Sequence, residues 1–233
     1  MPAVRSVITP EAMRLGASDP ERRAVDLRAA LAALPADARD PWLDRVLGVD
    51  ALLEDGPDLP AGCAPYIPCP VDILLVMLEA AQVGSHDVFV DVGSGIGRVT
   101  ALAHLLTGAA AIGIEVQADL VRISRAMTRA LGADRVATIA GDAAEIVAHV
   151  PNGTVFFLYC PFSGPRLERV LDALGALAVT RPIRICCVHL PPLTRPWLEL
   201  VASPRSELAI YRSTMATPPW QRRWSSPTLE TTP

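Results

Sequence analysis

Val88-Phe89-Val90-Asp91-Val92-Gly93-Ser94-Gly95-Ile96-Gly97-Arg98 is the stretch on which the reading of this chain turns. The β-branched and aromatic run at 88–91 predicts a short buried strand, the glycines a tight turn, and the apolar period from 97 onward a helix. Such a turn lets backbone amides approach a ligand closely, and the helix N-terminus behind it favours an anionic group. In an open α/β sheet, ligands bind where strands end in turns of this kind. The spacing is G-x-G-x-G, and Arg98 stands where the dinucleotide fingerprint G-x-G-x-x-G has its third glycine. The turn alone therefore does not spell a dinucleotide site, and it needs partners.

Outward from that turn, further strands are predicted over 111–115, 136–140, 155–159 and 183–189. Helices are predicted over 71–81, 97–107, 117–131, 142–149 and 164–178. The alternation is that of a parallel sheet with helices on both faces, a doubly wound α/β fold with strand order 3-2-1-4-5. Another helical piece is expected near 196–202, and short runs at 207–212 and 220–224 are expected to close the sheet as an antiparallel edge hairpin.

Upstream, Ser18-Asp19-Pro20 and Asp40-Pro41 each offer a cap followed by a first-turn proline, predicting helices over about 20–34 and 41–54. A proline-rich linker over 55–70 follows. The chain thus divides into a helical N-terminal extension, lid and linker at 1–65, a main domain at 66–225, and a frayed Ser/Thr/Pro-rich tail at 226–233.

At 233 residues, with 51% hydrophobic and 20% charged side chains, the chain can bury a full core, which excludes long-range disorder. A formal charge of -4 lacks the basic excess of a dedicated nucleic-acid binder. All basic residues are Arg, so there is no Schiff-base lysine and no lysine-bearing phosphate loop. Cys63, Cys69, Cys160, Cys186 and Cys187 form no C-x-x-C pair, so neither a metal site nor a disulfide framework is spelled out, and a reducing compartment is expected. Charged residues within the first thirty and the lack of an eighteen-residue apolar run predict a cytoplasmic protein without a membrane span.

The partners of the turn are acids. Glu115 ends the second strand, eighteen residues past Gly97, where a carboxylate can accept from both hydroxyls of a ribose. Gly141-Asp142 follow the third strand, where a second carboxylate can accept from an adenine amine or simply cap the next helix.

Asp91 to Gly97, Glu115 and Asp142 resemble the nucleoside-binding motifs of the Rossmann-like (class I) S-adenosylmethionine-dependent methyltransferases, over about residues 66–190. The resemblance implies S-adenosylmethionine as cofactor. It assigns the methionine end to Asp91, Gly93, Ser94, Gly95 and Gly97, the ribose to Glu115 and the adenine to Asp142. Tyr66-Ile67-Pro68-Cys69-Pro70 before the first helix is similar to the aromatic-x-Pro element of small protein-lysine methyltransferases, including those that modify the ATP synthase c-subunit. By that likeness Tyr66 covers the cofactor, the alternative being a linker aromatic on the surface. The sequence Tyr159-Cys160-Pro161-Phe162-Ser163 departs from the Asn/Asp-Pro-Pro-aromatic tetrad of amino-methylating nucleic-acid enzymes.

Tyr159 and His189, at the carboxyl ends of strands four and five, are the candidate catalytic side chains, with a structural role for His189 as the alternative. The expected acceptor is a protein side chain, lysine ahead of a small molecule. A nicotinamide-dependent oxidoreductase and a non-catalytic nucleoside-binding protein are the rival readings.

Overall fold

The computed structural model describes residues 19–49, 59–150 and 152–214. Its centre is built from short runs of β-branched and aromatic residues, which become the parallel strands β1 (Val88–Val92), β2 (Ala110–Glu115), β3 (Val136–Ala140), β4 (Val155–Tyr159) and β5 (Arg184–Val188). Two antiparallel strands, β6 (Leu198–Arg205) and β7 (Leu208–Ser213), complete a sheet of order β3-β2-β1-β4-β5-β7-β6. The expected 3-2-1-4-5 order with an antiparallel edge is the observed one.

Helices cover both faces, as the continuous apolar character of these strands requires. On one side lie α1 (Pro20–Ala33), α2 (Ala36–Leu47), α3 (Val71–Ala80), α4 (Arg98–Thr107) and α5 (Ala118–Ala130); on the other lie the short α6 (Ala143–Ile146) and the long α7 (Gly164–Thr180). Leu27 and Leu31 of α1 and Trp42 and Leu43 of α2 sit in the same buried cluster as Leu74, Met77, Leu102 and Phe89. Polar ties reinforce that packing: Arg28 Nη2 donates to the Leu106 carbonyl at 2.9 Å, and Arg39 Nε to the Leu31 carbonyl at 3.0 Å.

Two expectations are corrected. The second helix begins at Ala36 rather than 41, and Pro41 lies inside it. Asp40 resembles an N-cap in sequence, but its carboxylate instead accepts from the Val71 N–H at 3.1 Å, at the start of α3. The helix ends at Leu47 with Gly48 in the left-handed region at φ 73, and residues 50–54 of the expected helix lie outside the described residues.

The second correction is at the edge, where 196–202 is not helical: β6 runs from Leu198 and forms the hairpin with β7. Pro204 fits because β6 is an edge strand, and its pairing is broken by register shifts between Leu200 and Ala202 and between Ala202 and Arg205. The 220–224 run and the 226–233 tail lie outside the described residues.

Phe89 is fully buried on β1 and stacks on Phe157 of β4, with ring centroids 6.0 Å apart. Phe89→Ala is expected to lower unfolding free energy by about 3–5 kcal/mol, read as a shift of the denaturant midpoint at unchanged m-value.

Candidate functional site

A cavity of about 300 Å³ opens at the carboxyl ends of β1, β2, β4 and β5, roofed by residues 63–69. Tyr66, Asp91, Gly93, Ser94, Gly95, Glu115, Asp142, Tyr159 and His189 all line it. Gly97 does not; it starts α4 at φ 78, packed so closely on Ser124 that a Cβ would overlap the hydroxyl.

The glycine turn is folded back on its own protein. Gly93 and Ser94 N–H groups donate to the Ile114 carbonyl at 2.9 and 3.0 Å, and the Gly97 N–H to the Ser94 carbonyl at 2.9 Å. The Gly95 N–H donates to Glu115 Oε2 at 2.8 Å, while the Gln117 N–H donates to Oε1, also at 2.8 Å. The Gly93, Ser94, Gly95 and Gly97 N–H groups of the turn thus already have partners within the protein. What the turn presents to the cavity is carboxylate.

Two acids dominate that negative end. Asp91 is 2% exposed and Glu115 6%. Burial, with the Glu115 charge adding to it, pushes the Asp91 carboxyl well above the usual carboxylate range. Among the described residues no basic side chain forms an ion pair with Asp91. Each carboxylate oxygen keeps acceptor capacity beyond one hydrogen bond, so Glu115 can still receive hydroxyl donors. The hydroxyl of Ser94 is buried without a partner and is packed against Gly113, where a Cβ would stand 2.5 Å from it.

Asp142 has a double role already. It caps α6 by accepting from the Ala144 N–H at 2.9 Å and forms an ion pair with Arg166 of α7. Burial works against its charge, but these hydrogen bonds outweigh it and hold the carboxyl below the ordinary range. Arg166 carried no sequence signal, since nothing near it in the chain points to a partner twenty-four residues earlier.

The walls come from tight approaches. The Tyr66 ring lies so close over Gly95, at φ 54, that a Cβ there would overlap it. Burial pushes the Tyr66 phenol up to about 12. Pro161 stands against Gly93, where a Cβ would come within 2.7 Å. At the far end, Tyr159 and His189 meet edge to face with centroids 5.9 Å apart. Burial also raises the Tyr159 phenol above its ordinary value. Cys160 at φ 43 and His189 at φ 54 are both left-handed non-glycine residues, so each strand ends in a strained turn at the cavity rim.

Arg98 also borders the cavity, but its guanidinium is engaged by the protein itself. It is 4% exposed and donates to Asp44 at 2.7 Å, to Asp40 at 2.5 Å and to the Cys69 carbonyl at 2.5 Å.

Residues 68–141 match the family model described as histone methylation protein DOT1. The chain is similar to an RNA methyltransferase from Salinibacter ruber, solved in complex with S-adenosyl-L-homocysteine, at 28% identity over 64% of this chain and 94% of that one, with a TM-score of 0.48. It is similar also to the putative methyltransferase yhhF from Escherichia coli, at 20% identity over 66% and 89% of the two chains, with a TM-score of 0.51. A third structure, precorrin-6y C5,15-methyltransferase from Geobacter metallireducens, gives 21% identity over 55% and 68%, with a TM-score of 0.46. No curated protein matches the chain.

A buried carboxyl whose pKa is raised on folding binds more protons in the native state, so its ionisation costs stability as pH rises through the raised value. Asp91→Asn is expected to raise the melting temperature of the unliganded protein at neutral pH, by about 2–4 °C per kcal/mol relieved. The gain should vanish in acid, where Asp91 is protonated; a melting series over pH reads both.

Proposed function

We propose that this protein, a Rossmann-like (class I) S-adenosylmethionine-dependent methyltransferase, transfers the methyl group to a protein side chain, with lysine the favoured acceptor. The observation that carries the cofactor assignment is the buried pair Asp91 and Glu115 beside a turn in which the Gly93, Ser94, Gly95 and Gly97 N–H groups are already bonded. Such a site suits a ligand that brings cationic and hydroxyl donors and suits a pyrophosphate poorly, which sets aside the nicotinamide reading. In this assignment Asp91 holds the ammonium of the methionine end, with Gly93, Ser94, Gly95 and Gly97 shaping the turn. Glu115 takes the ribose hydroxyls, Asp142 the adenine amine, and Tyr66 covers the whole.

S-adenosylmethionine supplies a methyl group already activated on a sulfonium. The protein's share is alignment and exclusion of water, and positioning of this kind contributes on the order of 7–11 kcal/mol. A lysine acceptor, with a pKa of about 10.4, must first lose its proton. His189 stands exposed at the rim, where its imidazole takes that proton. Tyr159 stays protonated at neutral pH, and its hydroxyl orients the incoming amine.

The match to a family named for histone methylation supports a protein acceptor. That match ends at 141, before the strands that bear Tyr159 and His189, so the acceptor rests on this reading of the site. Among the described residues no helix is long and apolar enough to cross a membrane. All five cysteines are free thiols, in keeping with a cytoplasmic location.

Incubation of the purified protein with labelled S-adenosylmethionine and cell lysate is expected to place label in polypeptide, on lysine after hydrolysis. Label confined to low-mass material would turn the assignment to a small-molecule acceptor. Glu115→Ala is expected to weaken S-adenosylmethionine binding by about 1–3 kcal/mol in a calorimetric titration, and unchanged affinity would remove Glu115 from the ribose site.

A further inference from the structure

Residues 62–70 arch over the glycine turn between two anchors. At the first, the Ala64 N–H donates to the Pro161 carbonyl at 2.9 Å, the Ser163 N–H to the Gly62 carbonyl at 3.3 Å, and Cys63 faces Phe162 in an antiparallel bridge. The second is a single guanidinium: Arg98 Nη1 donates to the Cys69 carbonyl at 2.5 Å. Between them Tyr66 is turned inward onto Gly95, while Ile67 faces outward at 59% exposure.

Arg98 directly follows Gly97, so one side chain joins the turn to the arch that covers it. Its other donors go to Asp40 and Asp44 of α2, which are 42% and 36% exposed and thus hold it from the protein's outer side. The same Asp40 carboxylate accepts the Val71 N–H, fixing the residue after the Pro68-Cys69-Pro70 end of the arch.

We propose that Arg98 is a positioning residue for cofactor capture: through the Cys69 carbonyl it holds Tyr66 over the glycine turn, and through Asp40 and Asp44 it makes α2 part of the cofactor site without α2 lining the cavity. The inference rests on the reading of the cavity as an S-adenosylmethionine site. Its chemistry explains arginine at this position. A planar fork reaches three acceptors lying in different directions, whereas a lysine ammonium is a point charge on a flexible stem and does not hold that geometry. A side chain that only fastened α2 would have no need of the Cys69 carbonyl.

The test compares wild type, Arg98→Lys, Tyr66→Ala and the double variant, with Asp44→Asn as a milder break of the same anchor. S-adenosylhomocysteine affinity is read by calorimetry, its dissociation rate by stopped flow, and KM for S-adenosylmethionine against kcat in turnover. Arg98→Lys is expected to bind S-adenosylhomocysteine on the order of tenfold more weakly, through faster dissociation, with KM rising by a larger factor than kcat falls. Asp44→Asn should move the same quantities in the same direction by less. The double variant should be no weaker than the weaker single, because residues acting through one another are not additive.

Wild-type affinity in both Arg98→Lys and Asp44→Asn overturns the proposal. Losses that multiply in the double variant also overturn it, because Arg98 then acts independently of Tyr66. Failure of the wild type itself to bind S-adenosylhomocysteine overturns the cofactor reading instead.

Discussion

Glu115 sits where β2 gives way to its loop, and its carboxylate spans two backbone donors: Gly95 from the turn after β1 and Gln117 from the turn after β2. Both bonds are 2.8 Å long and charge-assisted, the stronger class of hydrogen bond. They lock two adjacent strand ends into one rigid rim. Because the Ile114 carbonyl takes the Gly93 and Ser94 N–H groups, the glycine turn is held against the end of β2, where Gly93, Ser94 and Gly95 form part of the cavity wall.

That constraint sets the electrostatics of the site. A turn with free amides favours an anion; here the Gly93, Ser94, Gly95 and Gly97 N–H groups are bonded within the protein, and the acids beside them are Asp91 and Glu115. Burial at 2% exposure, with the Glu115 charge nearby, makes the ionised Asp91 unfavourable in the unliganded protein and raises its pKa. Strain of a second kind lies across the cavity, where Cys160 and His189 adopt left-handed backbone at the ends of β4 and β5. The β5 turn is held in part by the His189 N–H donating to the Glu207 carbonyl at 2.9 Å, which makes the β6–β7 hairpin a support for the His189 side of the cavity.

The central strands were legible because their signal is local: 136–140 and 155–159 are bounded as expected, and the glycine turn falls between strand and helix as its composition dictates. Errors arose where a residue serves a distant partner. Asp40 before Pro41 has the form of a helix start, yet its carboxylate belongs to Val71 and Arg98. Leu198–Arg205 has apolar residues that suit either period over so short a run, and only pairing with β7 decides for a strand. Around the cavity, the acids announced themselves at strand ends, whereas Arg166 and the three bonds of Arg98 are long-range facts with no local trace. Arg98 in particular registers in sequence only as a missing glycine.

In the proposed function the cavity beside the glycine turn holds the sulfonium nucleoside with its sugar on Glu115. A crystal structure of the protein grown with S-adenosylhomocysteine tests it most directly. The expected result is density in the cavity at the carboxyl ends of β1, β2 and β4, bordered by Tyr66 and the glycine turn, with the ribose hydroxyls within hydrogen-bond distance of Glu115 and the amino group beside Asp91. Ligand density elsewhere on the molecule, or a ribose turned away from Glu115, would contradict it.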